Sequence, residues 1–302
     1  IEDVNASPIV SDPLRLLEIC ATSDGAAALV VCSMDAPLYF ANSALFHDTL
    51  VRRQRAGKAK VVVVAFVGIN FVDTTGLHVL PGLIDPHVHF RDPGDKTVES
   101  IPTGTKGAIL GGLAAVFDMP NTAPSVVDAK MVGWKQEYVE ANAWCDMGIY
   151  IGGTKTNIPE LSDLELDRGV CGIKIFAGSS TGNLMVEDDE NLEKVMRSGR
   201  RRIAFHSEDE YRLQARKSMF KAGDPYSSHM VWRDEEAAFL GTRRLLALSR
   251  KTGRPAHILH VSTAQEFEYL RDYRDIATAE VLVNHLTQVA PDCYERLGGF
   301  AV

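Results

Sequence analysis

The chain has 302 residues, of which 45% are hydrophobic, and a formal net charge of -8. That length and apolar content are sufficient for one large domain, or for a barrel with a small appendage. The negative charge argues against nucleic acid or an anionic membrane surface as the main partner. The composition therefore indicates a globular protein and excludes these two classes of partner.

Cysteine usage and the apolar runs bear on the cellular compartment. The five cysteines are widely spaced and include no CxxC pair, which favours a reducing cytoplasm over a disulfide framework or a thiolate zinc site. The longest apolar runs, residues 26–34 and 61–72, are too short to span a bilayer. No charged segment followed by an apolar one predicts a signal peptide. We therefore expect a cytoplasmic protein.

The first 76 residues predict a small β-containing region without a catalytic cluster. Apolar runs at residues 26–33 and 60–72 predict strands, and residues 43–57 predict a helix. The Thr-Thr-Gly of residues 74–76 is the best boundary. We expect two domains, residues 1–76 and 77–302.

From residue 77 onward, short β-rich runs alternate with helical segments such as residues 128–143 and 233–253. The β-rich runs are residues 77–90, 113–120, 145–153, 170–178, 202–208, 256–262 and 279–286. This alternation predicts parallel βαβ units, and the continuous apolar runs predict strands covered on both faces. Seven units in succession predict a TIM-type (β/α)8 barrel whose last strand is missing from the sequence, with its chemistry at the carboxyl ends of the strands.

Two histidines, His87 and His89, close the first of these runs. Residues i and i+2 of a strand point to the same side, so both imidazoles are expected in one place. Neutral imidazoles are ligands for zinc and similar metals. The pair taken alone is equally compatible with ordinary surface or core histidines.

Two further histidines, His206 and His260, close the fifth and sixth runs. A buried histidine without a partner is costly, so histidines at several strand ends indicate a site rather than packing. His257 leaves an alternative open, because it and His260 face opposite sides of a strand and at most one points into the barrel.

Lys174 lies in the middle of the apolar fourth run. Lysine is almost never fully buried unless it is paired. One interpretation is an ion pair with Asp118 or Glu208, and the other is a modified lysine that serves metal ions.

The motifs of this part of the chain resemble those of the amidohydrolase superfamily and, within it, the separate bacterial dihydroorotases. They are GLHVLPGLIDPHVHFRDPG, FDMPNT, GIKIFAGSSTGNLMVEDDE, RRRIAFHSEDEYRL, HILHVSTAQE and HLTQVAPDCYERLG, within residues 76–301. The resemblance implies two divalent metal ions, with Zn²⁺ expected, although manganese or cobalt would suit the same ligands. It assigns His87 and His89 to one ion, His206 and His260 to the other, and a carboxylated Lys174 as the bridge.

The resemblance also assigns Arg91 and Asn121 to binding of a substrate carboxylate, for which a guanidinium is well suited. An ordinary salt bridge from Arg91 to Asp92 or Asp95 is the alternative. The implied activity is that of a metal-dependent hydrolase, a dihydroorotase, which interconverts L-dihydroorotate and N-carbamoyl-L-aspartate in pyrimidine biosynthesis. The alternatives are a dihydropyrimidinase, an allantoinase, or a non-catalytic partner of aspartate transcarbamoylase. We expect a small-molecule substrate and a homo-oligomer.

The sequence departs from the family pattern in three places. The family's proton-transferring aspartate follows its eighth strand, which the sequence does not include, so the catalytic acid and base stay unassigned. Asp292 is interpreted as a helix start, and His285 is only a weak candidate for the site. Residues 11–33 resemble part of a thiolase, and residues 36–76 resemble a STAS domain.

Overall fold

The computed structural model describes residues 82–179 and 183–301, and four short strands nearer the N-terminus. Ile9–Ser11 pairs with Leu14–Arg15 in antiparallel fashion, and Val30–Ser33 pairs with Val62–Ala65 in parallel. The last two confirm strands within residues 26–33 and 60–72. The predicted helix at residues 43–57 and the boundary at residues 74–76 lie outside the described residues.

Seven strands form one sheet in the order of the chain. They are β1 (Leu83–Val88), β2 (Leu113–Asp118), β3 (Asp146–Gly152), β4 (Val170–Phe176), β5 (Ile203–His206), β6 (Ala256–Ile258) and β7 (Ala277–Ala279). Strand pairs β1–β2, β3–β4, β4–β5, β5–β6 and β6–β7 are parallel. The fold is that of a (β/α) barrel, with seven of its strands described.

Helices separate these strands. They are α1 (Ile101–Leu110), α2 (Ala129–Asn142), α3 (Leu161–Leu164), α4 (Asp189–Arg197), α5 (Glu210–Arg216), α6 (Ser228–Trp232), α7 (Glu235–Thr252), α8 (Ala264–Leu270), α9 (Val283–Thr287) and α10 (Asp292–Leu297). Single 3-10 turns lie at Ile158–Glu160, Lys217–Met219, Arg271–Tyr273 and Gly298–Ala301. Helices α2 and α7 confirm the predictions for residues 128–143 and 233–253. Within the described ranges, no helix combines the length and apolar character needed to cross a bilayer.

The predicted seventh strand is present, but its predicted position at residues 279–286 is wrong, because the strand is Ala277–Ala279 and Val283–Thr287 is helical. The chain leaves the sheet at Glu280, whose amide donates to the Ile258 carbonyl and whose carbonyl accepts from the Val261 amide. A short apolar run such as Val281–Val283 has no periodicity that separates strand from helix. His285 consequently lies on α9 and not at a strand end.

The chain divides into two compact units. The first comprises residues 1–118 and 137–148, and the second comprises residues 119–136 and 149–302. The core of the first unit, as far as it is described, contains Phe90, Ile101, Ala108 and Val116. Helix α1 begins at Ser100, whose hydroxyl accepts from the Thr103 amide, so a side-chain cap fixes where this helix packs on the core.

The second unit has the larger core, built from apolar residues of β3 to β6 and helices α4 and α7. Its completely buried members include Ile151, Ile173, Ile175, Phe205 and Leu245. Continuous burial along β4 explains why its sequence shows no alternation of polar and apolar residues.

Helix α7 contacts the loop that carries candidate site residues. Its N-terminus is capped by Asp234, and it ends at Gly253 in the left-handed region, with φ 71°. A Cβ added at Gly241 would lie 1.5 Å from the carbonyl oxygen of Ser207, the residue after β5. Only glycine allows α7 to approach this loop so closely.

Replacing Gly241 with alanine should therefore destabilise the fold by about 1–3 kcal/mol or more, since the helix or the loop must move. The matched control is Gly133→Ala in α2, where an added Cβ meets nothing within 4 Å. That control should gain roughly 0.5–1 kcal/mol from helix propensity. Urea unfolding measures both values. Equal stability of the two variants would contradict the close contact of α7.

A buried ion pair lies before the strands of the second unit. Glu165 is completely buried and binds Arg254, whose side chain is 3% exposed. The Glu165 carboxylate also accepts from the amides of Arg200 and Arg201, at 2.5 and 3.2 Å. The pair thus joins the segments that precede β4, β5 and β6.

Glu165→Ala should cost about 3–5 kcal/mol, because it leaves the Arg254 charge buried without its partner. Glu268→Ala breaks the exposed pair between Glu268 and Arg271, at 2.7 Å, and should cost at most about 1 kcal/mol. Guanidinium unfolding of both variants is the measurement. A cost below 1 kcal/mol for Glu165→Ala would show that this pair does not hold the segments together.

Candidate metal centre

The first unit holds one pair of histidines at the end of β1. The Nε2 atoms of His87 and His89 lie 3.1 Å apart, which confirms that the two rings point to the same side of the chain. Two nitrogens that share a tetrahedral zinc ion at its usual bond length are about 3.3 Å apart. The pair therefore fits two ligand positions of one ion.

The second unit holds the other pair. His206 Nδ1 and His260 Nε2 lie 2.8 Å apart, so the ends of β5 and β6 bring two ring nitrogens together. Burial lowers the pKa of His206, which favours the neutral ring that a metal ligand requires. His257 instead contacts Thr278 and Glu280, so His260 is the ring that lies beside His206.

Lys174 is 1% exposed within β4. Burial lowers its pKa well below the ordinary value, while the charge of Glu280 opposes this shift. Its Nζ lies 4.4 Å from the centre of the Phe176 ring. Of the two acids offered as ion-pair partners, Glu208 is bound by Arg233 and His206, and Asp118 accepts from the Phe90 amide. Glu280 is thus an acid whose charge acts on Lys174, and both interpretations of this lysine stay predictions.

Glu208 and Arg233 are site residues that the sequence did not single out for a role at the histidines. Glu208 Oε2 lies 2.7 Å from His206 Nε2. Burial raises the pKa of Glu208, but the hydrogen bonds from His206 and Arg233 outweigh it and lower the pKa to about 2. The position of Glu208, two residues after a strand-end histidine, is a sequence signal that could have identified it. Arg233 had no such signal, because it lies 25 residues from Glu208.

Arg91 follows the first histidine pair and has a φ of 56°. The two acids proposed for an ordinary salt bridge bind elsewhere. Asp92 contacts Lys96 at 3.3 Å and the Ile101 amide at 3.2 Å, and Asp95 caps Thr97. Within the described part of the first unit, the guanidinium of Arg91 is thus not held by either acid.

Asn121 lies in the second unit, in the loop after β2. Its Oδ1 is buried and has no hydrogen-bond partner among the described residues. A buried polar atom without a partner is costly and in native proteins calls for an explanation such as a ligand. This supports the prediction that Asn121 contacts a bound molecule.

Backbone strain is concentrated at strand ends. Among the described residues, the non-glycine residues with positive φ are Arg91, Ser179 and His260, at 56°, 50° and 40°. They follow β1, β4 and β6 respectively. A side chain in this region of φ costs free energy, and such residues cluster at functional sites.

The structure brings the four candidate histidines together two by two. Across residues 82–179 and 183–301, no three histidine, cysteine or acidic side chains are grouped so as to hold a metal ion. Each unit thus supplies two nitrogens, and the complete ligand set stays a prediction. Asp292 begins α10, which confirms its interpretation as a helix start.

Comparison with known proteins agrees with this fold. A family model described as dihydro-orotase-like matches residues 76–168, and a STAS domain model matches residues 21–86. The second match includes the STAS-like stretches. The thiolase-like resemblance of residues 11–33 stays a prediction.

Curated relatives and solved structures are similar to a large part of this chain. A dihydroorotase of Pyrococcus furiosus is 32% identical over 214 residues, which are 70% of this chain and 45% of that protein. An allantoinase of Deinococcus radiodurans is 34% identical over 203 residues, which are 64% of this chain and 44% of that protein. The L-hydantoinase (dihydropyrimidinase) of Arthrobacter aurescens has a TM-score of 0.67 and 22% identity, covering 76% of this chain and 53% of its own.

The chain spans about half the length of the curated relatives that it matches. The likeness to the hydantoinase identifies the fold as the TIM-type barrel. The dihydro-orotase-like match and the dihydroorotase relative agree with the family resemblance of the motifs. Residues 76–168 therefore match the dihydro-orotase-like family, and the chain is similar to dihydroorotases over 70% of its length.

Proposed function

We propose that this protein is a dihydroorotase, which interconverts L-dihydroorotate and N-carbamoyl-L-aspartate in pyrimidine biosynthesis. The observation that carries the choice of substrate is Arg91, a strained arginine next to the first histidine pair whose neighbouring acids are bound elsewhere. A guanidinium binds a carboxylate through two parallel charge-assisted hydrogen bonds. The dihydroorotase relatives support the same choice.

The donor set fits two divalent metal ions. The His87–His89 pair would hold one ion, since its nitrogens lie near the separation of shared zinc ligands. The His206–His260 pair would hold the other, with its two nitrogens at hydrogen-bonding distance in the metal-free chain. When bound, the ions would lower the pKa of a water molecule and polarise the ring amide carbonyl. Zn²⁺ is the expected metal.

Lys174 would serve both ions as a carbamate. An amine buried in β4 is destabilised as a cation. Carboxylation removes the positive charge and supplies anionic oxygens of the kind that bind divalent metals. The modification would thereby explain why a lysine occupies the middle of an apolar strand.

The remaining side chains of the site would orient the substrate. Arg91 and Asn121 would bind the ring carboxylate, Asn121 by donating from its amide nitrogen, while its buried, unpartnered Oδ1 would accept from a ring N–H. No residue of this chain is assigned as general acid or base, because Asp292 belongs to a helix start. We further propose that the protein acts in the cytoplasm as a homo-oligomer.

A second candidate is a cyclic amidohydrolase for a substrate without a carboxylate. The allantoinase relative and the hydantoinase fold favour this candidate. Assays with L-dihydroorotate, dihydrouracil and allantoin distinguish the two. Turnover of dihydrouracil or allantoin without turnover of dihydroorotate would overturn the proposed substrate and leave the metal centre intact.

Removing the proposed ligands should remove metal. The protein should bind two zinc ions per chain, and each double variant, His87→Ala with His89→Ala or His206→Ala with His260→Ala, should lose at least one. Lys174→Ala should weaken both sites. Elemental analysis after dialysis against zinc measures the stoichiometry. His257→Ala is the matched control and should retain both ions, since His257 contacts Thr278 and Glu280 instead; equal loss in the control would refute the ligand assignment.

Arg91→Met should lower kcat/KM for L-dihydroorotate roughly 10- to 100-fold, which corresponds to one or two charge-assisted hydrogen bonds. Any turnover of dihydrouracil, which lacks the carboxylate, should be unchanged. The control is Arg271→Met, which alters an exposed arginine paired with Glu268. Unchanged turnover of dihydroorotate by the Arg91 variant would show that Arg91 does not bind the carboxylate.

A further inference from the structure

Glu208 connects the second histidine pair to an arginine. Its Oε2 lies 2.7 Å from His206 Nε2, and its Oε1 accepts from Arg233 Nε at 2.7 Å. Arg233 Nη2 also donates to Oε2, so the arginine binds the carboxylate with two nitrogens. This fork fixes the plane and position of the carboxylate beside the imidazole.

The donor and acceptor inventory gives this chain of hydrogen bonds one direction. An ionised carboxylate accepts only, and a neutral imidazole has one donor and one acceptor nitrogen. His206 must therefore donate from Nε2 to Glu208, which leaves the lone pair of Nδ1 free to accept. His260 Nε2, at 2.8 Å from that Nδ1, is then the donor between the two rings.

This direction of the hydrogen bonds leaves a lone pair on Nδ1 of His206, and a metal ion binds such a lone pair. Nδ1 of His206 is the atom that faces His260, whereas Nε2 faces the carboxylate. In the opposite tautomer the proton would lie on Nδ1 of His206. The lone pair of Nε2 would then face a lone pair of the Glu208 carboxylate, and the two would repel each other. The carboxylate thus selects between the two tautomers.

Arg233 stabilises the ionised form of the Glu208 carboxylate and fixes its position in a largely buried environment. The side chains of Glu208 and Arg233 are 15% and 24% exposed. A carboxylate so far removed from water is costly unless it is paired. The guanidinium also lies 5.9 Å from the centre of the Trp232 ring. This cation–π contact helps to hold Arg233 beside Glu208.

We propose that Glu208, held by Arg233, is a positioning residue that sets the tautomer of His206 and so presents Nδ1 to a metal ion. The metal part of this inference rests on the proposed function, whereas the tautomer does not. In the metal-free chain, His206 carries its proton on Nε2, and His260 donates from Nε2. Binding of an ion requires only His260 to move its ring proton.

Nitrogen NMR on the metal-free, full chain with labelled histidine tests the tautomer. The signals of His206 are identified by their loss in His206→Gln. The wild type should show Nε2 protonated and Nδ1 unprotonated, and Glu208→Ala should shift His206 to a mixture or to the Nδ1-protonated form. Glu208→Gln retains an acceptor oxygen and should keep the wild-type tautomer.

Zinc affinity, measured by competition with a chromophoric chelator, is the second readout. Glu208→Ala should weaken binding about 10- to 100-fold, as expected for loss of a carboxylate behind a histidine ligand, and Arg233→Met should weaken it less. The matched control is Glu193→Ala, since Glu193 is also bound by two cations, Arg197 and Lys251, and zinc affinity should stay unchanged. Circular dichroism confirms that each variant is folded.

The outcomes separate this inference from the proposed function. A wild-type tautomer in Glu208→Ala, or Nδ1 protonated in the wild type, would overturn the inference even if zinc binds. Absence of zinc binding by the wild type would overturn the proposed function, while a Glu208-dependent tautomer would still support the role of Glu208 at His206. Should Glu208→Ala fail to fold, Glu208→Leu, which keeps most of the side-chain volume but has no acceptor oxygen, supplies the comparison with Glu208→Gln.

Discussion

The structure depends on one geometrical constraint, which is that parallel strands in chain order end at the same edge of their sheet. The loops that follow these strand ends lie outside the apolar core, so they can carry polar side chains. His89 and Arg91 follow β1, Asn121 follows β2, and His260 follows β6. The topology of the sheet therefore places the candidate site residues, with one or two of them after each of these strands.

Holding polar groups at these positions has a cost, and the surrounding structure offsets it locally. Arg91 and His260 adopt left-handed backbone angles that non-glycine residues avoid. Glu208 is removed from water but is bound by Arg233 and faces His206. The loop after β5 is fixed from behind by α7, which approaches it at Gly241. In the second unit, the loop after β5 is thus held by contacts within that unit.

Much of this arrangement follows from the sequence, and the failures have physical reasons. The barrel class, strands β1 to β6, and helices α2 and α7 were predictable because long periodic segments with caps have few alternatives. The pairing of His87 with His89 follows from the two-residue period of a strand. The position of the seventh strand was not predictable, because a run of three apolar residues before Asn284 is compatible with strand or helix. The partnership of Glu208 with Arg233 was missed, since it joins residues 25 positions apart.

The central proposal is that the histidine pair of β1, the pair of β5 and β6, and Lys174 would together hold two metal ions. Electron paramagnetic resonance of the protein loaded with Mn²⁺ tests it most directly, because two ions about 3.5–4 Å apart are magnetically coupled. Two ions held together should give the multiline spectrum of a coupled pair, and Lys174→Ala should lose it. Isolated single-ion spectra at full loading would contradict a shared centre.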